Sequence, residues 1–188
     1  MRNELIEIFE KANRDFLAQE IDLFHSKVSE RALCGSLMMH LKDEICKTRF
    51  SNYKVDVEYN RNKGDKLKTI QKTVLGPEEN IIPITCDLIV HSRGKNVSLD
   101  NLIAVEMKKS TRPQEEKESD RMRLKLLTSD SFDNIWSYDG TTLPEHVCRY
   151  MLGIYYEVDF ATMNILLEYY KQGSLFCTYS VQIATENI

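Results

Sequence analysis

Three charged side chains interrupt two short apolar segments, and their types are those of a divalent-metal site. Asp87 lies in the segment 86–91, and Glu106 and Lys108 lie in the segment 101–109. Aliphatic residues dominate both segments and polar loops flank them, which predicts two buried strands. Because a desolvated carboxylate or ammonium group is costly, charges in such strands need a partner or a role. Two carboxylates and a lysine around one small volume could hold a divalent cation and position a water molecule.

Side-chain alternation decides which residues of the second segment can act together. Successive side chains of a strand point to opposite faces of the sheet. Glu106 and Lys108 therefore share a face with Ala104, while their apolar neighbours point the other way. If the two predicted strands are neighbours, Asp87 meets Glu106 at the edge of the sheet. The alternative is a structural ion pair between Glu106 and Lys108, since most Glu-x-Lys triplets in strands are solvated pairs.

A third carboxylate, Glu30, lies on a predicted helix upstream of both strands. Residues 27–46 show apolar side chains at three- and four-residue steps, which predicts an amphipathic helix; they are Cys34, Leu37, Leu41 and Ile45. Extending this stripe by one turn towards the N-terminus reaches Glu30, so its side chain is expected on the core-facing line. The alternative is a solvated first-turn acid that complements the helix dipole.

The order helix with Glu, strand, strand with Asp, strand with Glu-x-Lys resembles the PD-(D/E)xK nuclease superfamily, which has the restriction-endonuclease-like fold. The resemblance implies that Asp87 and Glu106 are ligands of Mg²⁺ or Mn²⁺, with the carbonyl group of Met107 as a backbone ligand. It also implies that Lys108 orients or activates the attacking water and that Glu30 is an accessory acid, which helps to hold the metal directly or through water.

The resemblance covers residues 29–110 with its motif positions, and residues 120–180 more loosely in architecture. One position departs from the family pattern. Thr85 and Cys86 precede Asp87, so the proline of the family name is absent, and Pro83 lies too far upstream to replace it. The spacing of 18 residues between Asp87 and Glu106 is a loose pattern. Its value comes from the strand context and from Glu30.

Basic residues cluster locally, although the formal net charge of the chain is −4. Local patches suffice for phosphate contacts, so Lys109, Arg112 and Arg121 are candidate nucleic-acid contacts. A further basic stretch covers residues 61–72. A solvated loop is the alternative for each of these runs. The negative net charge of the chain argues against tight, non-specific binding to duplex DNA and favours a weak or partner-dependent nuclease. A homodimer or another protein partner is also possible.

The other segments predict one α/β domain over residues 1–188 with a central mixed sheet of the restriction-endonuclease-like kind. Helices are expected over 2–18 and 114–128, and the second of these, with the Glu30 helix, flanks the sheet. Periodicity predicts further strands over 53–59, 147–156, 164–170 and 175–183. Residues 60–83 form a polar excursion punctuated by glycine and proline, which is long for a simple hairpin.

Composition limits the compartment and the function class. The five cysteines are scattered and odd in number, which indicates reduced thiols in a cytoplasmic protein. No apolar run is long enough to span a bilayer, and no secretory signal is evident, so no membrane association is expected. A glycine-rich phosphate loop and a catalytic-triad pattern are also lacking.

The function predicted from the sequence is metal-dependent hydrolysis of phosphodiester bonds, with DNA as the expected substrate. Two alternatives remain. The same fold could bind nucleic acid or a protein partner without cleaving, or the charged residues could form a structural ion pair in a protein of another class.

Overall fold

The computed structural model describes residues 2–58, 69–72, 80–83, 86–130 and 149–184, with only the backbone course for 69–72 and 80–83. Its centre is a six-stranded sheet with the strands in the order β1 (Lys54–Val57), β4 (Leu88–His91), β5 (Asn101–Lys109), β6 (Leu152–Asp159), β7 (Asn164–Lys171) and β8 (Ser174–Gln182). The pair β5–β6 is parallel, and the other neighbours in this sheet are antiparallel. The predicted mixed sheet of an α/β fold is therefore confirmed.

Three helices precede the first strand: α1 (Arg2–Gln19), α2 (Ile21–His25) and α3 (Glu30–Cys46). The helix predicted over 2–18 is confirmed as α1. The α3 helix starts later than the predicted residue 27, because Lys27 has a left-handed φ of 52° and Ser29 is extended. The Ser29 side chain caps the helix by accepting a hydrogen bond from the Ala32 N–H at 3.2 Å. Glu30 is thus the first residue of α3.

The first strands of the large sheet are β1 (Lys54–Val57), β4 (Leu88–His91) and β5 (Asn101–Lys109), with a short 3₁₀ turn at Val97–Leu99. β4 pairs with both β1 and β5, and Leu88 lies opposite Val105. The neighbouring placement of the two motif strands is as expected. Both strands lie inside the sheet, however, so Asp87 and Glu106 do not lie at its lateral edge.

The predicted polar excursion at 60–83 contains two strands that sequence patterning missed. β2 (Thr69–Lys72) and β3 (Asn80–Pro83) form a separate antiparallel pair. Each has four residues and includes polar positions, so neither gives a clear periodic signal. Residues 59–68 and 73–79 lie outside the described part of the chain, and so does most of the basic stretch at 61–72.

The second half of the sheet follows α4 (Gln114–Thr128), whose predicted bounds are confirmed. The remaining strands are β6 (Leu152–Asp159), β7 (Asn164–Lys171) and β8 (Ser174–Gln182). The strand predicted at 147–156 begins later and ends later, because Arg149 has a left-handed φ of 63° just before it; residues 147 and 148 are outside the described ranges. Positive φ angles of 47° at Gln172 and 73° at Gly173 form the tight turn between β7 and β8.

The strand β5 divides the apolar interior into two layers. Ile103, Val105 and Met107 belong to the larger cluster, which also contains the buried side chains of α1 and α3. Ala104 belongs to the smaller cluster with Leu124 of α4. Glu106 and Lys108 therefore face α4, as side-chain alternation predicts. None of the described helices is long and apolar enough to cross a membrane.

Candidate functional site

The carboxyl groups of Asp87 and Glu106 lie side by side, with Asp87 just before β4 and Glu106 on the neighbouring strand β5. Asp87 immediately precedes β4, and its Oδ2 accepts a hydrogen bond from the Met107 N–H at 2.8 Å. This bond anchors the Asp87 side chain to the residue that follows Glu106. A further hydrogen bond joins the Asp87 and Glu106 side chains. The structure thus brings together the two residues that the sequence identifies as candidate metal ligands.

Burial makes this carboxyl pair hard to ionise. Glu106 is 1% exposed, and burial raises its pKa to about 8 despite the opposing charge of Arg123. The charges of Asp87 and Asp120 raise this pKa further. Burial also raises the pKa of Asp87, and the Met107 N–H only partly offsets it. At neutral pH the pair therefore retains a proton, which the two carboxyl groups share.

Lys108 lies on the same face of β5 and pairs with α4. Its Nζ lies 3.0 Å from Asp120 Oδ2. Burial lowers the pKa of Lys108, but Asp120, Asp87 and Glu30 together raise it above its ordinary value. The ammonium group is consequently charged at neutral pH. It could orient a water molecule or stabilise negative charge on a phosphate, and it is a poor general base.

The α4 helix adds a guanidinium group to the site. Arg123 Nη1 donates to Glu106 Oε1 at 2.8 Å and to Asp120 Oδ1 at 3.1 Å. Asp120 is 3% exposed, so one buried acid links Arg123 to Lys108. Glu106 and Lys108 therefore pair with separate residues of α4. The alternative prediction of a structural ion pair between Glu106 and Lys108 is wrong.

Arg123 is not among the residues that the sequence assigns to the site. A usable signal existed. Asp120, Arg123 and the buried residues Leu124 and Leu127 follow one another at helical positions i, i+3, i+4 and i+7. This spacing places charged side chains on the core-facing stripe of α4. The same kind of stripe extension had pointed to Glu30.

Glu30 lies near the site but has other partners. Its Oε1 accepts from the Lys109 N–H at 2.9 Å, and the Arg112 guanidinium donates to both carboxylate oxygens at 3.1 and 3.2 Å. Burial opposes ionisation, but the bonds from Arg112 and Lys109 lower the pKa of Glu30 below its ordinary value. Among the described residues these are its hydrogen-bond partners, so Glu30 is ionised and is tied to the end of β5.

The basic residues predicted to contact nucleic acid divide between two places. Lys109 and Arg112 lie at the end of β5 beside Glu30, and the Arg112 side chain is half exposed. Arg121 points away from the carboxyl pair. Its guanidinium group bonds Glu168 through Nε and Nη2 and lies 4.1 Å from the centre of the Tyr155 ring. The structure does not bring Arg121 to the other candidate residues.

The donor set fits a hard cation such as Mg²⁺ or Mn²⁺. Within the described ranges, no three Asp, Glu, His or Cys side chains form a group that could hold a metal. Mg²⁺ commonly binds one or two carboxylates and keeps several waters, so two carboxylates are sufficient. A cation could also replace the proton that the buried carboxyl pair shares. Asp87 and Glu106, with the Met107 carbonyl group, are the residues that could hold it.

No protein-family model, curated protein or solved structure matches the chain. The chemistry proposed for the site therefore rests on its residues and their geometry.

Proposed function

We propose that the chain is a metal-dependent nuclease of the PD-(D/E)xK, restriction-endonuclease-like class, with DNA as the expected substrate. The observation that carries this proposal is the hydrogen-bonded pair of Asp87 and Glu106 with Lys108 on the same face. The order of elements gives further support. Glu30 opens α3, β1 follows, Asp87 precedes β4, and Glu106 and Lys108 lie on β5.

Each side chain has a role that its surroundings permit. Asp87 and Glu106 would hold Mg²⁺ or Mn²⁺ together with the Met107 carbonyl group. When bound, the metal would polarise the scissile phosphate and lower the pKa of a bound water. The Lys108 ammonium group would orient that water and balance the negative charge that develops on the phosphate. Its ion pair with Asp120 keeps it protonated for this electrostatic role.

Glu30 would act as an accessory acid from outside the carboxyl pair. Its contacts with the Lys109 N–H and the Arg112 guanidinium fix the end of β5 beside the site. Lys109 and Arg112 would hold the nucleic-acid backbone there, because the Arg112 side chain is half exposed and carries further N–H donors. In this arrangement Glu30 positions Arg112 and does not need to bind the metal directly.

A cleavage assay tests the proposal. The full chain is incubated with plasmid DNA and with single-stranded DNA and RNA, in Mg²⁺, in Mn²⁺ and in excess chelator. We expect cleavage that the chelator abolishes and that Asp87→Asn or Glu106→Gln reduces by at least about a hundredfold. Asp43→Asn, an exposed acid on α3, is the charge-matched control and should cleave normally.

The second candidate is a binding module of the same fold that does not cleave. One observation favours it, since Arg123 already pairs with Glu106 and Asp120 already pairs with Lys108, as in a purely structural network. Wild-type protein that binds DNA but leaves every substrate intact in Mg²⁺ and Mn²⁺ would make this the better account.

A further inference from the structure

The Arg123 side chain would compete with a divalent cation for the Glu106 carboxylate. Its Nη1 donates to Glu106 Oε1, an oxygen that also accepts from Cys86 Sγ at 3.3 Å. The buried carboxyl pair of Asp87 and Glu106 keeps one negative charge beside its proton, and in the metal-free protein the Arg123 guanidinium group on Glu106 balances that charge. A metal ion and a guanidinium group on one carboxylate would repel each other. Metal binding at Glu106 therefore weakens the hold on Arg123.

The guanidinium group is only partly engaged. Both hydrogen bonds that Arg123 makes to described residues, to Glu106 and to Asp120, come from Nη1. The N–H donors on Nε and Nη2 are therefore available. The neighbouring Arg121 differs, because it uses Nε and Nη2 together on Glu168. The Arg123 side chain is 29% exposed, so its guanidinium group can turn towards solvent and does not become a buried charge without a partner.

Asp120 limits how far Arg123 can move. It precedes Arg123 by one helical turn and accepts from it at 3.1 Å, while its second oxygen lies 3.0 Å from Lys108 Nζ. A guanidinium group released from Glu106 would therefore stay beside the lysine of the site. The Nε and Nη2 donors form the planar fork that binds phosphate oxygens in pairs.

We infer that Arg123 is a metal-displaced phosphate clamp: it donates to Glu106 in the metal-free protein and binds a backbone phosphate of the nucleic acid once a divalent cation holds Glu106. The inference rests on the proposed function, because it assigns a substrate contact to the same site. It makes metal binding and nucleic-acid binding mutually reinforcing through one side chain. Asp120 acts as the positioning residue of this clamp.

Two binding measurements on Arg123→Gln test the inference. Calorimetric titration with Mn²⁺ should show binding several-fold tighter than in the wild type, because the competing cation is gone. Fluorescence anisotropy with a short DNA duplex in Ca²⁺ should show affinity about tenfold weaker, with a salt slope smaller by about one. In EDTA both proteins should bind the duplex equally. A gel run after each titration checks that the duplex is intact.

Lys125→Gln is the matched control, since Lys125 is exposed on the same helix and carries the same charge. It should bind Mn²⁺ like the wild type and should not change the difference between Ca²⁺ and EDTA. Arg123→Lys covers a folding failure of Arg123→Gln. It keeps the charge but loses the planar fork, so it should also bind the duplex more weakly in Ca²⁺.

The outcomes separate this inference from the proposed function. Wild-type protein that binds no Mn²⁺ would overturn both. Wild-type protein that binds Mn²⁺ and cleaves DNA, alongside an Arg123→Gln variant with unchanged duplex affinity in Ca²⁺, would overturn the clamp alone. Weaker Mn²⁺ binding in Arg123→Gln would also overturn the clamp, because it would mean that Arg123 supports the metal-binding form of Glu106.

Discussion

A buried carboxyl group that keeps its proton at neutral pH makes stability depend on pH in an unusual direction. Burial raises the pKa of Glu106 to about 8 from an ordinary value of 4.5. The protonated Glu106 carboxyl group therefore stabilises the folded protein fully below pH 4.5, and this stabilisation is lost as the pH rises towards and through 8. The raised pKa of Asp87 makes the protein lose further stability as the pH rises.

We therefore expect the melting temperature of the metal-free protein in EDTA to fall as pH is raised from 5 to 8.5. Circular dichroism melts at several pH values measure it. Glu106→Gln stays neutral throughout, so its melting temperature should fall less steeply. Equal slopes for the two proteins would show that Glu106 is already ionised at pH 5.

Lys108→Met separates a catalytic lysine from a structural counter-ion. Methionine keeps the volume and removes the charge, and it leaves the buried Asp120 with Arg123 as its remaining cation. We expect a loss of about 1–3 kcal/mol in the free energy of unfolding, because Arg123 still pairs with Asp120. Cleavage should disappear while Mn²⁺ affinity by calorimetry stays within a few-fold of wild type. Loss of Mn²⁺ binding would instead make Lys108 part of the fold of the carboxyl pair.

At the scale of elements, the position of α4 on the sheet determines where Asp120 and Arg123 lie. Gly153 of β6 lies beneath the end of this helix, and a Cβ atom there would lie 2.8 Å from Thr128 Cγ2 and 3.2 Å from Tyr170 Cβ. The distance to Thr128 is too short for a Cβ atom and the distance to Tyr170 is tight, so a glycine at this position lets the helix approach the strand closely. We expect a larger residue at this position to shift Thr128 and with it the end of α4.

Gly153→Ala should lower the free energy of unfolding by about 1–3 kcal/mol and, by shifting α4, reduce cleavage. Chemical denaturation and the plasmid assay measure the two effects. Adding Thr128→Ser removes the closest methyl group and should restore part of both. Gly35→Ala on α3 is the control, because its added methyl group would meet nothing within 4 Å. That variant should be neutral or slightly stabilised.

Local patterning predicted the elements that carry the motif. The bounds of β5 and α4 follow from alternation and helical periodicity, and the adjacency of Asp87 and Glu106 follows once β4 and β5 pair. The contacts of Arg123 could not follow from local pattern, because they depend on the register of α4 against β5. The strands β2 and β3 escaped detection because four-residue strands with polar positions give too little periodicity.

At the scale of the whole molecule, a cation that binds only the folded chain should stabilise it. At a concentration of 100 times its dissociation constant, a ligand adds about 2.7 kcal/mol. For a chain of this size, that corresponds to a rise of about 5–10 °C in the melting temperature. We expect such a rise with Mn²⁺ for the wild type and for Asp43→Asn, and little or none for Asp87→Asn. A flat response of the wild type would remove the support for a metal site.

The distribution of the sheet contacts along the chain bears on how the protein folds. The pair β4–β5 joins positions close in sequence, such as Leu88 and Val105, whereas β5–β6 joins distant ones, such as Ile103 and Leu152. Closing a shorter loop loses less chain entropy, so the β4–β5 pair can form first. The seat of α4 includes Tyr155 of β6 and Tyr170 of β7, so Arg123 reaches Glu106 only later.

We therefore expect both carboxyl groups to be assembled during folding before the Arg123 guanidinium group reaches them. A divalent cation captured at that stage would stabilise the transition state as well as the native protein. Refolding from urea would then accelerate in Mn²⁺, with a smaller change in the unfolding rate. In that case the ion would act as a nucleus for the sheet before it acts in catalysis.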